Sequence, residues 1–138
     1  MSLLPSGARR RNVSKAVLDA SAVLAILNSE PGAEKVQSLG DAVVCAVNLA
    51  EVQSKLVSTG IAPEDAWQAA SSPVQEIAEF TAEQAKIAGS LTALTRTLGL
   101  SLGDRTCLAL AIALKAPVYT ADRTWKALRL GIPIHVIR

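Results

Sequence analysis

Aromatic side chains are scarce in this sequence: two Trp, one Tyr and one Phe make up 3% of its 138 residues. Proteins that stack single-stranded bases on rows of exposed rings need more aromatic residues, so this composition excludes that binding device. Long apolar segments are also absent. The longest uninterrupted apolar run spans residues 107–114, far short of the ~20 residues that a membrane-crossing helix requires. We therefore expect a soluble chain with no membrane segment.

Cysteine and histidine are scarce as well, with two of the former and one of the latter. Cys45 and Cys107 each lie inside an apolar segment, which is typical of buried thiols rather than of a disulfide or a metal pair. A reducing cytoplasm is the expected compartment. The formal net charge of +2 is too small to predict a polyanionic partner. The basic run at residues 9–11, with Lys15, either attracts nucleic acid or stays solvated, and the second interpretation is simpler.

The sequence does contain a regular alternation of short apolar runs and longer helical patterns. Half of the residues are hydrophobic and 19% are charged, a balance that predicts a compact globular fold. The length fits one domain, which we expect over residues 15–138, after a flexible N-terminal lead-in over residues 1–14. The alternation predicts an α/β fold with a central parallel β-sheet flanked by helices. The predicted strands span residues 16–19, 42–47, 74–79, 117–121 and 133–137.

Helical patterns occupy the segments between these strands. Leu49, Val52, Leu56 and Val57 have helical spacing, and Gly60 closes that helix. The predicted helices span residues 21–30, 33–40, 49–60, 63–70, 82–99, 102–115 and 123–131. Because connections between parallel strands are right-handed, the carboxyl ends of all strands share one edge of the sheet. Open α/β sheets bind ligands at that edge, so we expect functional residues there.

Four acidic residues occur where strands end or helices begin. Asp19 directly follows the first predicted strand, and Asp122 follows the fourth. Glu51 and Asp104 lie in the first turns of two predicted helices. Each position alone fits ordinary helix capping, although Asp19 fits it poorly because Ser21 is available nearby as a cap. Their joint placement predicts that all four carboxylates reach one edge of the sheet.

Four carboxylates at one edge would repel each other. Two unit charges ~4 Å apart cost about 4 kcal/mol at an effective dielectric near 20, and a hard divalent cation removes that repulsion. Oxygen ligands without a His or Cys cluster favour Mg²⁺ or Mn²⁺ over zinc. Such a site holds a substrate phosphate and orients water for in-line attack. The pattern therefore predicts metal-dependent hydrolysis of a phosphodiester bond.

Helix capping remains the alternative interpretation of the acidic residues. Ser101 with Asp104 matches the spacing of a capping box, and Asn48 with Glu51 has the same three-residue offset. Asp122 is suited to the N-cap of the last predicted helix. On this interpretation the chain is a non-catalytic α/β module that binds protein or RNA, and its acidic residues only cap helices.

Four stretches form a specific set: "AVLDASAVLAIL" at 16–27, "NLAEV" at 48–52, "LSLGDRTCLALA" at 100–111 and "VYTADRTW" at 118–125. Together they resemble the PIN-domain family, and within it the VapC-like toxins of bacterial and archaeal toxin-antitoxin pairs. The resemblance covers residues 15–138. It implies a single PIN-like nuclease domain with about five parallel strands, and the activity of a metal-dependent endoribonuclease.

The resemblance also implies a role for each acidic residue. The acidic quartet of the family matches Asp19, Glu51, Asp104 and Asp122, and none is replaced. Asp19 and Asp104 would bind Mg²⁺ or Mn²⁺, directly or through water. Glu51 would position or deprotonate the attacking water. Asp122 would complete the cluster, either outside the direct ligands or on a second ion.

Four further residues are expected to support this site. Ser21 and Thr120 lie beside the first and last acids, where their hydroxyls would hydrogen-bond the carboxylates; plain turn residues are the alternative. Arg105 and Arg123 each follow a predicted ligand and are candidates for a bidentate grip on a phosphate, with a solvated helix face as the alternative. Trp125 is expected in the core rather than against a base.

RNA is the implied substrate, and the resemblance implies two protein partners. One is a second copy of the chain, which gives a homodimer. The other is a cognate antitoxin whose tail covers the active edge. The segment at 63–70 and the small-residue helix at 82–94 are the candidate surfaces, although most of their apolar area is expected to be core.

Overall fold

The computed structural model describes residues 15–138. The expected lead-in, residues 1–14, and the arginines of its basic run lie outside the described residues. Within residues 15–138 the chain forms five strands, seven α-helices and two 3₁₀ segments. No helix in this part of the chain is long and apolar enough to cross a membrane.

The elements alternate along the chain as the pattern predicts. The strands are β1 (Ala16–Leu18), β2 (Ala42–Cys45), β3 (Glu76–Ala78), β4 (Val118–Thr120) and β5 (Ile134–Val136). The helices are α1 (Ala20–Leu27), α2 (Ala33–Gln37), α3 (Ala46–Ser58), α4 (Pro63–Ser71), α5 (Ala82–Ser90), α6 (Thr92–Thr95) and α7 (Leu102–Leu114). The 3₁₀ segments span Arg96–Leu98 and Arg123–Ala127.

All five strands form one parallel sheet in the order β3-β2-β1-β4-β5. This confirms the predicted α/β class and its flanked parallel sheet. β1 and β2 consist only of apolar residues and are fully buried, as expected for strands that helices cover on both faces. β3 and β5 carry exposed polar residues, Glu76 and His135, and form the two edges.

Alternate residues of the central strands face two separate hydrophobic cores. Val17, Val43 and Val118 pack with the buried face of α7 in one core. Leu18 and Val44 pack with α1 in the other. Side chains that alternate between two apolar cores hold β1 in the interior of the molecule.

Both cysteines and Trp125 belong to the core that contains α7. Cys45, Cys107 and the Trp125 side chain are fully buried, and both thiols are free. The thiols therefore act as small apolar side chains, as the sequence indicated.

The chain changes its direction across the sheet at β1. From β1 it moves outward through β2 to β3, and it then returns to the other side of β1 to form β4 and β5. The carboxyl ends of β1 and β4 therefore flank a topological switch point, which is where open α/β sheets bind ligands. Asp19 follows β1 immediately, and Asp122 lies two residues beyond β4.

The helices predicted over 21–30 and 33–40 each end three residues early, at Leu27 and Gln37, and three other helical segments also differ from their predicted boundaries. α3 begins at Ala46, so the end of the strand predicted over 42–47 is helical. The helix predicted over 82–99 is divided into α5, α6 and a 3₁₀ segment, because the poor helix formers Gly89, Ser90 and Thr92 cluster at the break. The helix predicted over 123–131 is a 3₁₀ segment that ends at Ala127.

Candidate active site

Asp19 lies at the N-cap of α1, directly after β1, and is only 4% exposed. Its Oδ1 accepts hydrogen bonds from the Ala22 backbone N–H at 2.8 Å and the Ser21 hydroxyl at 2.7 Å. Its Oδ2 accepts a hydrogen bond from the Thr120 hydroxyl at 2.6 Å. The expectation that Asp19 fits capping poorly was therefore wrong, since this carboxylate, rather than Ser21, caps α1.

The electrostatic environment of Asp19 contains opposing effects. Burial raises the pKa of this carboxyl from 3.8 to about 6, and the hydrogen bonds from Thr120, Ser21 and Ala22 limit the rise. The charge of Asp104 raises the pKa further. Asp19 is therefore mostly ionised at neutral pH, although its charge is poorly solvated.

Ser21 and Thr120 connect the end of β1 to the end of β4. Besides donating to Asp19, the Ser21 hydroxyl accepts a hydrogen bond from the Ala121 N–H at 2.8 Å. The Thr120 hydroxyl accepts one from the Asp122 N–H at 3.0 Å. These two side chains hold the segments that carry the first and last acids side by side.

Asp104 and Asp122 both cap helical segments. Asp104 forms a complete capping box with Ser101 at the start of α7: each backbone N–H donates to the other side chain, at 3.0 and 3.1 Å. Asp122 caps the last 3₁₀ segment and accepts hydrogen bonds from the N–H and the hydroxyl of Thr124. Both residues are thus held at the start of a helical segment by local hydrogen bonds.

Glu51 is the one member of the acidic quartet that caps no helix. The sequence predicted that Glu51 lies in the first turn of its helix. Because α3 begins at Ala46, Glu51 lies in the second turn instead. Asn48 is likewise inside α3, so the Asn48 and Glu51 pair is not a capping box. Instead the Asn48 Nδ2 donates a hydrogen bond to the Glu51 Oε1 at 2.9 Å.

All four acids line a single cleft of about 610 Å³, which we call the acidic cleft. Residues from α1 and α3 form two of its walls. Its lining consists of Asp19, Ala20, Ser21, Leu24, Asn28, Glu30, Glu51, Lys55, Leu56, Thr59, Ile61, Asp104, Asp122 and Arg138. The structure therefore brings the four predicted acids, from four separate segments, to one concave surface at the switch point.

Two basic residues of the acidic cleft were missed by the sequence reasoning. Lys55 lies on α3 four residues after Glu51, the spacing that places two side chains on the same helix face; that offset was the available signal. Among residues 15–138, Lys55 forms no ion pair. Arg138 reaches the cleft after β5 and forms an ion pair with Glu30 at 2.8 Å, a contact that no local pattern reveals.

The two predicted phosphate-binding arginines do not line the acidic cleft. Arg105 donates from Nη1 to the Ala88 carbonyl and the Thr92 hydroxyl, each at 3.0 Å. Its guanidinium therefore ties α7 to the α5–α6 junction. Arg123 is exposed, and its Nε donates to the Arg138 carbonyl at 3.4 Å.

The sequence profile of the PIN domain matches residues 16–130. This chain belongs to the PIN domain family. The matched region contains all four acids of the cleft, whereas β5 and Arg138 lie beyond it. PIN-domain nucleases generally use a divalent metal ion.

Solved structures that share this fold include bacterial VapBC complexes and a bacterial VapC toxin. VapBC2 from Rickettsia felis, bound to a promoter DNA fragment, matches with a TM-score of 0.67 and 20% identity over 88% of this chain and 97% of its own. VapC20 from Mycobacterium tuberculosis, a sarcin-ricin loop cleaving toxin, matches with a TM-score of 0.66 and 18% identity over 86% and 98%. DNA-bound VapBC from Salmonella typhimurium matches with a TM-score of 0.67 and 18% identity, over 88% of this chain and 97% of its own. No curated protein matches the sequence significantly.

The donor set of the acidic cleft fits a hard divalent cation. Its candidate ligands are all carboxylates, and the poorly solvated charge of Asp19 would gain from a neighbouring positive charge. Within residues 15–138, no three His, Cys, Asp or Glu side chains lie close enough to form a ready-made ion cage. Asp104 and Asp122 instead direct carboxylate oxygens to capping donors. A cation in this cleft would therefore share the carboxylates with these hydrogen-bond donors, and water would complete its coordination.

Proposed function

We propose that this PIN domain is a metal-dependent endoribonuclease and the toxin of a VapBC-type toxin-antitoxin pair. One observation carries the proposal: four carboxylates from four separate segments line one cleft at the switch point of the sheet. Isolated helix caps do not require a shared cleft. The proposal includes Mg²⁺ or Mn²⁺ as cofactor, a homodimer, a cognate antitoxin and a cytoplasmic location.

Each acid has a distinct role in the proposed hydrolysis. Asp19 and Asp104 would hold the cation, and Asp122 would complete the cluster. When bound, the cation neutralises the carboxylates and withdraws charge from the phosphate oxygens. Glu51 orients the attacking water and accepts its proton as the water oxygen bonds to phosphorus. The bond from phosphorus to the leaving ribose oxygen then breaks, and that oxygen takes its proton from solvent water. Ser21 and Thr120 keep the carboxylate of Asp19 in a fixed orientation.

The substrate reaches these acids along the wall formed by α3. Lys55 lies one turn of α3, about 6 Å, from Glu51, and it is exposed in the same cleft. An RNA backbone whose scissile phosphate lies beside Glu51 therefore brings a neighbouring phosphate near Lys55. In this arrangement Lys55 replaces Arg105 and Arg123 as the main phosphate contact.

The toxin assignment is supported by the solved structures that share this fold. Two of them are VapBC complexes bound to DNA, and a third is a toxin that cleaves the sarcin-ricin loop. A small DNA-binding protein encoded next to this chain would be the cognate antitoxin. Co-expression of that protein is expected to suppress RNA cleavage by this chain.

A non-catalytic binding module is the second candidate function. Three of the four acids, Asp19, Asp104 and Asp122, do cap helical segments, which is what this alternative requires. Glu51 opposes it, because Glu51 caps nothing and still faces the acidic cleft.

Incubation with total cellular RNA separates the two functions. We expect the wild-type protein to cleave RNA in Mg²⁺ or Mn²⁺ and to be inactive in EDTA, with the cut ends mapped by sequencing. Asp19→Asn is expected to abolish cleavage without unfolding, because the amide can keep all three hydrogen bonds. Its Oδ1 accepts from Ala22 and Ser21, and its Nδ2 donates to Thr120.

Asp65→Asn is the matched control, since Asp65 is an exposed carboxylate in the first turn of α4, outside the acidic cleft. This variant should cleave RNA like the wild type. Equal cleavage in EDTA, or an active Asp19→Asn variant, would contradict the nuclease proposal.

A further inference from the structure

Asn48 is a buried amide that links two elements of the acidic cleft. Its side chain is 1% exposed, and its Nδ2 donates at 2.9 Å to both the Glu51 carboxylate and the Gly103 carbonyl. Its Oδ1 finds no hydrogen-bond partner among residues 15–138. A buried amide oxygen without a partner lowers the stability of the fold. An apolar side chain at this position would not have that disadvantage.

Gly103 is the second unusual residue at the same contact. It lies in α7, where glycine is a poorer helix former than alanine, and its backbone does not adopt the left-handed conformation that would require glycine. A Cβ at this position would lie 2.6 Å from the Glu51 Oε2 and 2.8 Å from its Oε1. The glycine therefore leaves space for the carboxylate of Glu51 in its observed position, and the backbone conformation of α7 does not require it.

We propose that Asn48 and Gly103 are positioning residues that hold the Glu51 carboxylate against the first turn of α7. Asn48 supplies the hydrogen bond, and Gly103 supplies the space. A free glutamate side chain samples many rotamers, and fixing one has an entropic cost that must be offset by contacts of this kind. The catalytic consequence of this arrangement rests on the proposed nuclease function, but the contact itself does not.

The same contact places Glu51 next to the turn that carries Asp104. Asn48 and Glu51 belong to α3, and Gly103 directly precedes Asp104 in α7. The Asn48 amide therefore sets the position of one acid relative to another across two helices. If position 103 served only to build α7, alanine would be the better residue there, because alanine stabilises a helix more than glycine does.

A stability experiment tests this inference without any assay of activity. We expect Gly103→Ala to lower the urea midpoint of the otherwise wild-type protein, because the new methyl group displaces the Glu51 carboxylate. In a Glu51→Ala background the same substitution should raise the midpoint, as an ordinary Gly-to-Ala change in a helix does. Glu51→Ser serves as the background if Glu51→Ala does not fold.

Gly89→Ala is the matched control for this experiment. Gly89 lies in α5, and nothing lies within 4 Å of a Cβ built there. Gly89→Ala should therefore raise the midpoint equally in both backgrounds. If Gly103→Ala also raised the midpoint equally in both, the positioning role would be refuted, whether or not the protein cleaves RNA.

Kinetics of RNA cleavage provide the second arm. Asn48→Ala and Gly103→Ala are each expected to lower kcat by about 10- to 100-fold with little change in KM, because a misplaced catalytic group slows the chemical step. Adding Gly103→Ala to Glu51→Gln should cause no further loss. A rise in KM at constant kcat would contradict the positioning role. A wild-type protein that shows the stability coupling but never cleaves RNA would refute the nuclease function alone.

Discussion

At the scale of single residues, Asp19 combines two requirements that conflict. Its carboxylate is almost fully buried, which opposes ionisation, yet three donors stabilise the ionised form. A buried carboxylate is tolerated only where such donors or a cation offset its lost hydration. The three hydrogen bonds therefore explain how a charge survives at the end of a fully buried strand.

The raised pKa of Asp19 predicts how stability depends on pH in EDTA. The carboxyl binds its proton more tightly in the folded state, with a pKa of about 6, than at its ordinary value of 3.8. Its contribution is therefore fully present below about pH 4 and is lost as the pH rises through 6. We expect this loss to be about 2 to 3 kcal/mol of the free energy of unfolding, measured by urea denaturation across this range.

Asp19→Asn isolates this contribution because asparagine does not titrate. The stability difference between the variant and the wild type should increase in favour of the variant from about pH 4 to pH 6 and stay constant above pH 6. A difference that is flat over this range would show that burial does not perturb Asp19.

Lys55 provides a second prediction at the residue scale. Lys55→Ala should raise the KM for RNA several-fold at unchanged kcat, because the lost contact is to a phosphate away from the reacting bond. The salt dependence of RNA affinity should also weaken, by about 0.7 in the slope of log affinity against log salt concentration for a single strand. Filter binding at several salt concentrations measures this slope.

Lys86→Ala is the matched control, since Lys86 is an exposed lysine on α5 outside the acidic cleft. It should leave both KM and the salt slope close to the wild-type values. Equal effects of the two substitutions would show that Lys55 acts only through the overall charge of the protein.

Local sequence patterns predicted the positions of the acids better than their contacts. Strand ends and helix starts locate Asp19, Asp104 and Asp122, because short-range backbone preferences determine those boundaries. Asn48 was interpreted as a cap because nothing local shows that α3 starts at Ala46. One of its two acceptors, Glu51, is three residues away, but the other, the Gly103 carbonyl, is 55 residues away. Packing between helices creates that second contact, and no local pattern encodes it.

At the scale of secondary-structure elements, the alternation of apolar and helical patterns was sufficient to predict the sheet. The apolar runs at β1 and β2 are buried on both faces, and such runs are typical of parallel strands. The prediction of one long helix over 82–99 was wrong, because the helical spacing of apolar residues can continue across a break in the helix itself. Here α5 ends at Ser90 and α6 begins at Thr92. Between them Leu91 has a ψ of −6°, which departs from the ψ of an α-helix.

The connection from α1 to α2 gives a prediction at this scale. Gly32 has a φ of +94°, and a Cβ there would overlap the Ile137 carbonyl oxygen and lie 2.8 Å from its carbon. Gly32→Ala should therefore lower the free energy of unfolding by about 1 to 2 kcal/mol for the left-handed backbone conformation, plus about 1 to 3 kcal/mol for the overlap. Urea denaturation measures both contributions.

Gly60→Ala separates the two contributions, because Gly60 has a φ of +102° but nothing within 4 Å of a Cβ. Only the backbone contribution is expected for this variant. If both variants lost the same stability, the close approach of Gly32 to the segment after β5 would have no energetic significance.

At the scale of the whole molecule, a cation bound in the acidic cleft would stabilise the fold, because it binds only the native arrangement of the acids. At 100 times its dissociation constant, a ligand adds about 2.7 kcal/mol, which corresponds to a rise in Tm on the order of 10 °C for a domain of this size. We expect Mn²⁺ to produce such a rise in calorimetry for the wild type.

Asp19→Asn should lose most of this Mn²⁺-dependent rise, whereas Asp65→Asn should retain it. A rise of equal size in both variants would place the ion outside the acidic cleft. No rise in the wild type would favour the non-catalytic binding module.

The strand order also determines when the cleft can form during protein synthesis. Thr120 donates to Asp19 across 101 residues of sequence, and β4 joins the sheet beside β1 only after β2, β3 and all seven α-helices have been made. A growing polypeptide on the ribosome therefore carries Asp19 without its Thr120 donor until most of the message has been translated. If the chain is the toxin proposed above, fragments that end before Thr120 lack this contact of the acidic cleft, and only complete molecules would need to be restrained by an antitoxin.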